Sequence, residues 1–350
     1  MVNEPVVING HTIRAGERLT VDLPAGRLYT HAPMTIPVHI VSGKRHGPRL
    51  FISAAIHGDE INGVEIIRRL LKLPLMKRLR GTVLAVPIVN VHGFINHSRY
   101  LPDRRDLNRS FPGSEKGSLA ARIAHIFMTE IVANSTHGID LHTGARHRSN
   151  LPQIRANLED PETERLARAF DVPVIISSTL RDGSLREVAA EQGIPSLLYE
   201  AGEALRFDEL SIRAGVKGIT NVMRALDMLP AAKRAATYRR EPVVARSSTW
   251  VRAPESGVLR ALVPLGGRVE RGTLLGVVAD PFGEREIELT SSYDGIVIGR
   301  TNLPLVNEGD ALFHVGRFER PDAVEAKMDA FHEELSPDGL GEPDPPLPIV

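Results

Sequence analysis

The chain has 350 residues, with Lys+Arg and Asp+Glu both at 43 and a formal net charge of zero. That balance argues against a surface that holds nucleic acid or anionic lipid by bulk charge. There is no cysteine, which removes disulfide scaffolds, thiolate zinc sites, iron–sulfur clusters and cysteine nucleophiles together. Thirteen histidines remain, so any metal must be held by imidazole and carboxylate. No apolar run approaches the roughly 20 residues that span a bilayer. The start, Met1-Val-Asn-Glu-Pro, lacks the basic and apolar stretches of a secretory signal, so the expected location is cytoplasmic.

In chain order, the residues around 1–45 alternate short β-like runs (Val6 to Ile8, Leu19 to Leu23, Pro37 to Val41) with Gly and Pro breaks. We expect this β-rich segment to pack on a core that follows. From Leu50 the pattern becomes α/β. The expected strands are Leu50 to Ile56, Val83 to Val91, Gly138 to Leu141, Val172 to Ser177 and Pro195 to Tyr199. The expected helices are Val64 to Leu71, Leu119 to Val132, Glu162 to Phe170, Leu185 to Gln192 and Ile212 to Leu226. Such alternation predicts an α/β layered catalytic domain over 46–230.

A shift toward Pro, Ala and basic residues marks 231–246 as a linker, and a β-rich, Gly-punctuated domain is expected over 247–318. That domain echoes itself. Ala253-Pro-Glu-Ser-Gly257 is followed by Arg268-Val-Glu-Arg-Gly272, and Ser292-Tyr-Asp-Gly295 by Val306-Asn-Glu-Gly309, at nearly equal spacing. Two matching halves predict a small β-sandwich or barrel. It resembles a biotinyl or lipoyl carrier, yet no lysine stands between Lys233 and Lys327, so carrier chemistry is not expected. The residues 319–350 read as a short helix and a tail too rich in Pro, Gly and Asp to fold alone.

Four motifs carry chemistry. The first, Ala54-Ala-Ile-His57-Gly-Asp-Glu60, ends an apolar run and enters a helix, where α/β proteins place ligand-binding groups. His57 and Glu60 form a closely spaced pair, and a distant third ligand would complete a catalytic zinc site with an open position. Read alone, the segment is equally well a helix start with Asp59 as cap and Glu60 on the dipole. The third ligand is on offer in Ile139-Asp140-Leu141-His142-Thr-Gly144, with Asp140 able to orient a ligand. The next motif, Arg99-Tyr-Leu-Pro-Asp-Arg104-Arg105-Asp106-Leu-Asn108-Arg109-Ser-Phe-Pro112, supplies a forked guanidinium and an amide suited to a carboxylate. Last comes Tyr199-Glu200-Ala-Gly202. Glu200 at a strand end is suited to passing a proton between water and a leaving nitrogen; taken alone it would simply pair with an arginine.

In order, HGDE, DLNRSFPG, DLHTG and YEAG resemble the succinylglutamate desuccinylase/aspartoacylase family of zinc-dependent deacylases over roughly Pro37 to Gly202. The resemblance implies a zinc-carboxypeptidase-like three-layer α/β/α core with a mixed sheet. It implies one zinc ion per subunit on His57, Glu60 and His142, a carboxylate-binding pair in Asn108 and Arg109, and Glu200 as general acid/base. It also implies an arginine that polarises the scissile carbonyl. Arg99 is the best match, with Arg104 and Arg105 left open. The implied reaction is hydrolysis of the amide of a small N-acyl amino acid. A metallocarboxypeptidase or esterase on the same site, or a non-catalytic ligand-binding relative, are the alternatives. The expected partner is that small molecule, with neither nucleic acid nor membrane, and a homo-oligomer is compatible with the sequence.

Overall fold

The computed structural model describes residues 1–178, 181–232, 243–245 and 247–319, together with 330, 331, 333 and 335. The chain opens on a hairpin of β1 (Val6–Ile8) and β2 (His11–Ile13). Two long strands follow, β3 (Arg18–Arg27) and β4 (Pro33–Ser42). Alternation buries Val21, Leu23 and Ala25 of the first and Met34, Ile36, Val38 and Ile40 of the second, leaving Asp22, Pro24, Thr35, Pro37 and His39 between them at least partly open.

The next elements run β5 (Arg45–Ala54), α1 (Asn62–Lys72), β6 (Arg80–Val86), α2 (Val91–Ile95), α3 (Leu119–Glu130), β7 (His137–Gly144), β8 (Arg148–Ala156), α4 (Pro161–Phe170), β9 (Val174–Ser177), α5 (Leu185–Glu191), β10 (Ser196–Glu203) and α6 (Glu209–Ala225). Ser118, Asp160, Ser184 and Asp208 cap α3, α4, α5 and α6 by accepting a backbone N–H from the first turn. β6, β5, β7 and β10 run parallel to one another, whereas β4 and β8 pair antiparallel with β6 and β10. The sheet is therefore mixed and the fold α/β.

Register decides which side chains meet. Ser53 lies beside Asp140, Asp140 beside Leu198 and Leu198 beside Arg155. One step further, His142 lies beside Glu200 and Glu200 beside Gln153. Because side chains alternate along a strand, all of these share one face. The opposite face is apolar: Ile52, Ile139, Leu141, Ile154, Leu197 and Tyr199 pack with residues of α1, α4 and α6. On the first face, Phe51, Leu84 and Val86 pack with residues of α3 and α5. Polar residues thus occupy the part of that face that α3 and α5 leave uncovered.

Two elements differ from expectation. The strand expected to reach Val91 ends at Val86, because Asn90 accepts the N–H of Gly93 and starts α2. β8 was not anticipated at all. Pro152 has no N–H to give, and Arg148, Ser149, Asn150, Gln153 and Arg155 read as a polar loop. The sheet absorbs the proline where the register of β10 on β8 slips between Glu200 and Gly202.

The remaining strands are β11 (Val243–Ala245), parallel to β9, then β12 (Ser247–Arg252), β13 (Gly257–Ala261), β14 (Arg268–Val269), β15 (Leu274–Ala279), β16 (Glu286–Thr290), β17 (Gly295–Thr301), β18 (Leu305–Val306) and β19 (Ala311–Arg317). β17 pairs antiparallel with β8, so β17, β19 and β12 extend the large sheet outward. β16, β15, β13 and β18 form a separate sheet. Leu259, Leu275, Val278 and Leu289 of that sheet share one apolar cluster with Val297, Leu312, Phe313 and Val315 of the large one. Of the expected linker, residues 233–242 and 246 lie outside the described residues, as does the tail from Ser336. No helix among the described residues is long and apolar enough to cross a membrane.

Candidate active site

His57 and Glu60 stand on the loop between β5 and α1, and His142 near the end of β7, so strand order brings the three together. One ligand atom from each lies within 4.8 Å of the others, and all three residues are buried. Glu60 bridges the imidazoles: Oε1 is 2.7 Å from His57 Nδ1 and Oε2 is 2.7 Å from His142 Nδ1. The backbone N–H of Thr143 donates to the same Oε2 at 3.1 Å. Gly58 is needed here for closeness rather than torsion, since a Cβ on it would stand 2.0 Å from the Gly93 carbonyl carbon. The helix-start reading of Asp59 is not what the chain adopts. α1 begins at Asn62 with no side-chain cap, and Asp59 faces Arg146 at 3.4 Å.

The far nitrogen of each imidazole is tied to a further carboxylate. His57 Nε2 lies 3.1 Å from Asp106 Oδ1, and His142 Nε2 lies 2.7 Å from Asp140 Oδ2. Ser53 Oγ donates to the other oxygen of Asp140 at 2.8 Å. Both rings are thereby oriented with Nδ1 toward the shared centre, the arrangement in which a second-layer carboxylate fixes a metal-ligating histidine. Two imidazole nitrogens and one carboxylate are a donor set that suits zinc. The residues present fit the ion by their donor set and by the way each ring is aimed.

The electrostatics agree. Burial alone would raise the Glu60 carboxyl, but His57 and His142 hold it well below the usual carboxylate range. Burial would lower both histidines; Glu60 and Asp106 raise His57, and Asp140 and Glu60 raise His142 well above the ordinary value. Asp106, despite burial, is held low by His57 and Arg99. A field that keeps carboxylates charged and imidazoles attractive to protons also attracts a cation.

Of the three arginines left open, Arg99 reaches this cluster. Its Nη1 donates to Glu60 Oε1 at 3.2 Å and its Nη2 to Asp106 Oδ2 at 3.0 Å. Arg104 and Arg105 are exposed, the latter 3.9 Å from Asp103. Asn108 is buried; its Oδ1 accepts the N–H of Leu185 at 3.0 Å and its own N–H donates to Asp106 Oδ1 at 2.9 Å. Arg109 is exposed, with its guanidinium folded onto the Asn108 carbonyl. Glu200 sits one strand over from His142. Its carboxylate pairs with Arg155 and accepts from Asn150 Nδ2 at 2.8 Å. The arginine partner is therefore real, and it comes with a place beside the candidate metal ligands.

Sequence reasoning had no role for Asp106, Asn150 or Arg155. Asp106 opens the DLNR motif and caps its single turn by accepting the N–H of Asn108, a preference that was available as a signal. Asn150 and Arg155 were hidden with β8.

A model of the succinylglutamate desuccinylase/aspartoacylase catalytic domain matches residues 46–226. The chain belongs to that family. It is similar to an N-alpha-acetyl-L-2,4-diaminobutyric acid deacetylase from Halomonas elongata, with 28% identity over 291 residues, 79% of this chain and 84% of that protein. Among solved structures it resembles the ectoine utilization protein EutE of Ruegeria pomeroyi, with a TM-score of 0.78 at 23% identity, covering 90% of this chain and 98% of that one. A succinylglutamate desuccinylase/aspartoacylase from Rhodobacter sphaeroides gives 0.78 at 24% identity, over 89% and 98%. At such identities these two speak for the fold.

Proposed function

We propose that the protein is a zinc-dependent deacylase that hydrolyses the amide bond of a small N-acyl amino acid. The observation that carries the reading is the His57–Glu60–His142 cluster, with each imidazole turned inward by its own carboxylate. The relative from Halomonas elongata, a deacetylase of an N-acetyl amino acid by its name, supports the choice of bond.

His57, Glu60 and His142 would hold the zinc, which would supply Lewis acidity and bring the pKa of a water in its open position toward neutrality. The chain's own groups do the rest. Arg99, already at Glu60, donates hydrogen bonds to the oxygen on which negative charge develops. Glu200, registered beside His142, accepts the proton of the attacking water and returns it to the leaving nitrogen. Asn108 and Arg109 bind the substrate carboxylate, the exposed guanidinium of Arg109 unfolding from its own loop to do so. The C-terminal strands form a β-sandwich of the carrier type without a carrier's lysine, and serve to shape the site.

A panel of N-acetyl, N-succinyl and N-formyl amino acids, run beside peptides and esters with zinc-loaded protein, tests this reading. Turnover of at least one N-acyl amino acid, abolished by a chelator and restored by zinc, is expected. Full activity after chelation removes the metal, and turnover of peptides or esters alone removes the deacylase.

A further inference from the structure

One strand beyond Glu200 the same sheet face carries polar groups of a different kind. Gln153, directly across from Glu200 on β8, is fully buried, and neither its Oε1 nor its Nε2 has a hydrogen-bond partner among the described residues. Asn150, 4% exposed, spends its Nδ2 on Glu200 and leaves Oδ1 without a partner. His314, also 4% exposed, lies stacked on Trp250 at 4.5 Å with its Nδ1 unpartnered. Register joins these groups. Asn150 pairs with Gly299, Gly299 with His314, and His314 with Trp250. Gly299 keeps the row clear, because a Cβ there would come within 2.8 Å of Asn150 Oδ1 and 3.1 Å of His314 Cβ.

Buried polar atoms without partners are costly and rare, so a cluster of them beside a catalytic carboxylate calls for an occupant. Arg148, Arg155, Arg181 and Arg186 stand around it, against the carboxylates Glu200, Asp140 and Asp310. Arg155 pairs with Glu200, and the Arg148 guanidinium lies 4.6 Å over Trp250. Burial, with Arg155 and Arg181, lowers Arg186 to about 10, and burial, with Arg155 and Arg148, lowers His314 to about 3. An ammonium side chain would meet that field with repulsion. A carboxylate would satisfy donors only, leaving Gln153 Oε1 and Asn150 Oδ1 facing another acceptor.

We infer that Gln153, Asn150 and His314 form the subsite for the side chain of the released amino acid, and that the group it takes is an uncharged carboxamide. This rests on the deacylase reading above. The leaving nitrogen receives its proton from Glu200, so what is attached to that nitrogen extends past Glu200 toward β8. Two strand spacings, about 10 Å, separate β7 from β8, within reach of a glutamine-sized product. A carboxamide offers both a donor pair and an acceptor, which the orphaned amide, carbonyl and ring nitrogen require together. Glu200 stands beside Gln153 in register and is held by Asn150 and Arg155, the Arg155 and Glu200 side chains each about a fifth exposed, so the subsite fills as Glu200 turns from Asn150 and Arg155 toward the leaving nitrogen.

The test compares kcat/KM for the N-acetyl derivatives of L-glutamine, L-asparagine, L-norleucine, L-glutamate and L-2,4-diaminobutyrate. At least one carboxamide should exceed norleucine, glutamate and diaminobutyrate by about tenfold or more. Gln153→Leu should shrink the carboxamide-to-norleucine ratio by a similar factor. Binding of free L-glutamine, L-asparagine, L-norleucine and 2,4-diaminobutyrate to the wild-type protein, followed by calorimetry, gives a second readout that needs neither a folded variant nor turnover. A carboxamide amino acid should bind most tightly. Failure to hydrolyse any of these, or any N-succinyl or N-formyl counterpart, defeats the deacylase reading, while calorimetry still reports on the subsite. Hydrolysis without side-chain preference, or a ratio indifferent to Gln153, overturns the subsite and leaves ordered water as its occupant.

Discussion

The candidate metal site and the belt around Gln153 occupy neighbouring strands of one sheet face, and they treat buried polar atoms in opposite ways. At the cluster, both nitrogens of His57 and of His142 and both oxygens of Glu60 have partners within hydrogen-bond distance. In the belt, Gln153, Asn150 and His314 keep atoms without partners. The contrast separates two tasks. A cation site needs its donors aimed before the ion arrives, since each misdirected ligand weakens binding. A subsite for a polar substrate group must leave valences to be completed, which is how it discriminates against molecules that cannot complete them.

Substitutions should sort along that line. The largest effect is expected from Glu60→Gln, which removes the charge between two imidazoles; zinc content, read by elemental analysis, should fall to background together with activity. Glu200→Gln should keep the zinc and lower kcat by about 10²–10⁴-fold. Zinc loss in that variant would place Glu200 among the ligands and blur the distinction. Asp140→Asn loosens the hold on the His142 ring, and Asp106→Asn that on the His57 ring together with Arg99 and the Asn108 N–H; each should cost about 10–100-fold in zinc affinity or activity, measured by competition with a chromophoric chelator.

The smallest effect concerns stability. His314 is held at about 3 by burial and by Arg155 and Arg148, against an ordinary value of 6.5. Below that ordinary value the unfolded chain takes up a proton that the folded chain refuses, so folding stability falls as pH drops toward 3. Above the ordinary value this contribution to the slope is gone. His314→Phe retains a ring against Trp250 and should flatten the acid side of a plot of Tm against pH. A wild-type slope in the variant would show that His314 is not buried as a neutral ring.

How much was legible follows from where each signal lies. His57 and Glu60 are three positions apart, and His142 closes the DLH motif of a short strand, so the candidate ligands stand out without coordinates. Helices α3 to α6 announce themselves by spacing, and their caps Ser118, Asp160, Ser184 and Asp208 are local. β8 does not announce itself. Its inward-facing Ile154 and Ala156 are outnumbered by Pro152, Gln153, Arg155 and Asn150, whose polarity serves the site and not the core. The choice among Arg99, Arg104 and Arg105 was equally hidden, because it depends on which guanidinium the loop turns toward Glu60 and Asp106.

The sequence by itself determined the chemistry on offer. With no cysteine, only imidazole and carboxylate remain as strong ligands, and four short motifs in order supply the residues that define the family. Only the tertiary structure decided the second layer and the outer wall. Strand order set β10 between β7 and β8, which placed Glu200 between His142 and Gln153. Pairing of β17 with β8, and of β19 and β12 beyond it, brought His314 and Trp250 to the same face from far downstream in the chain. Such contacts are made by sheet register, a relation between distant segments, and no local pattern of residues encodes it.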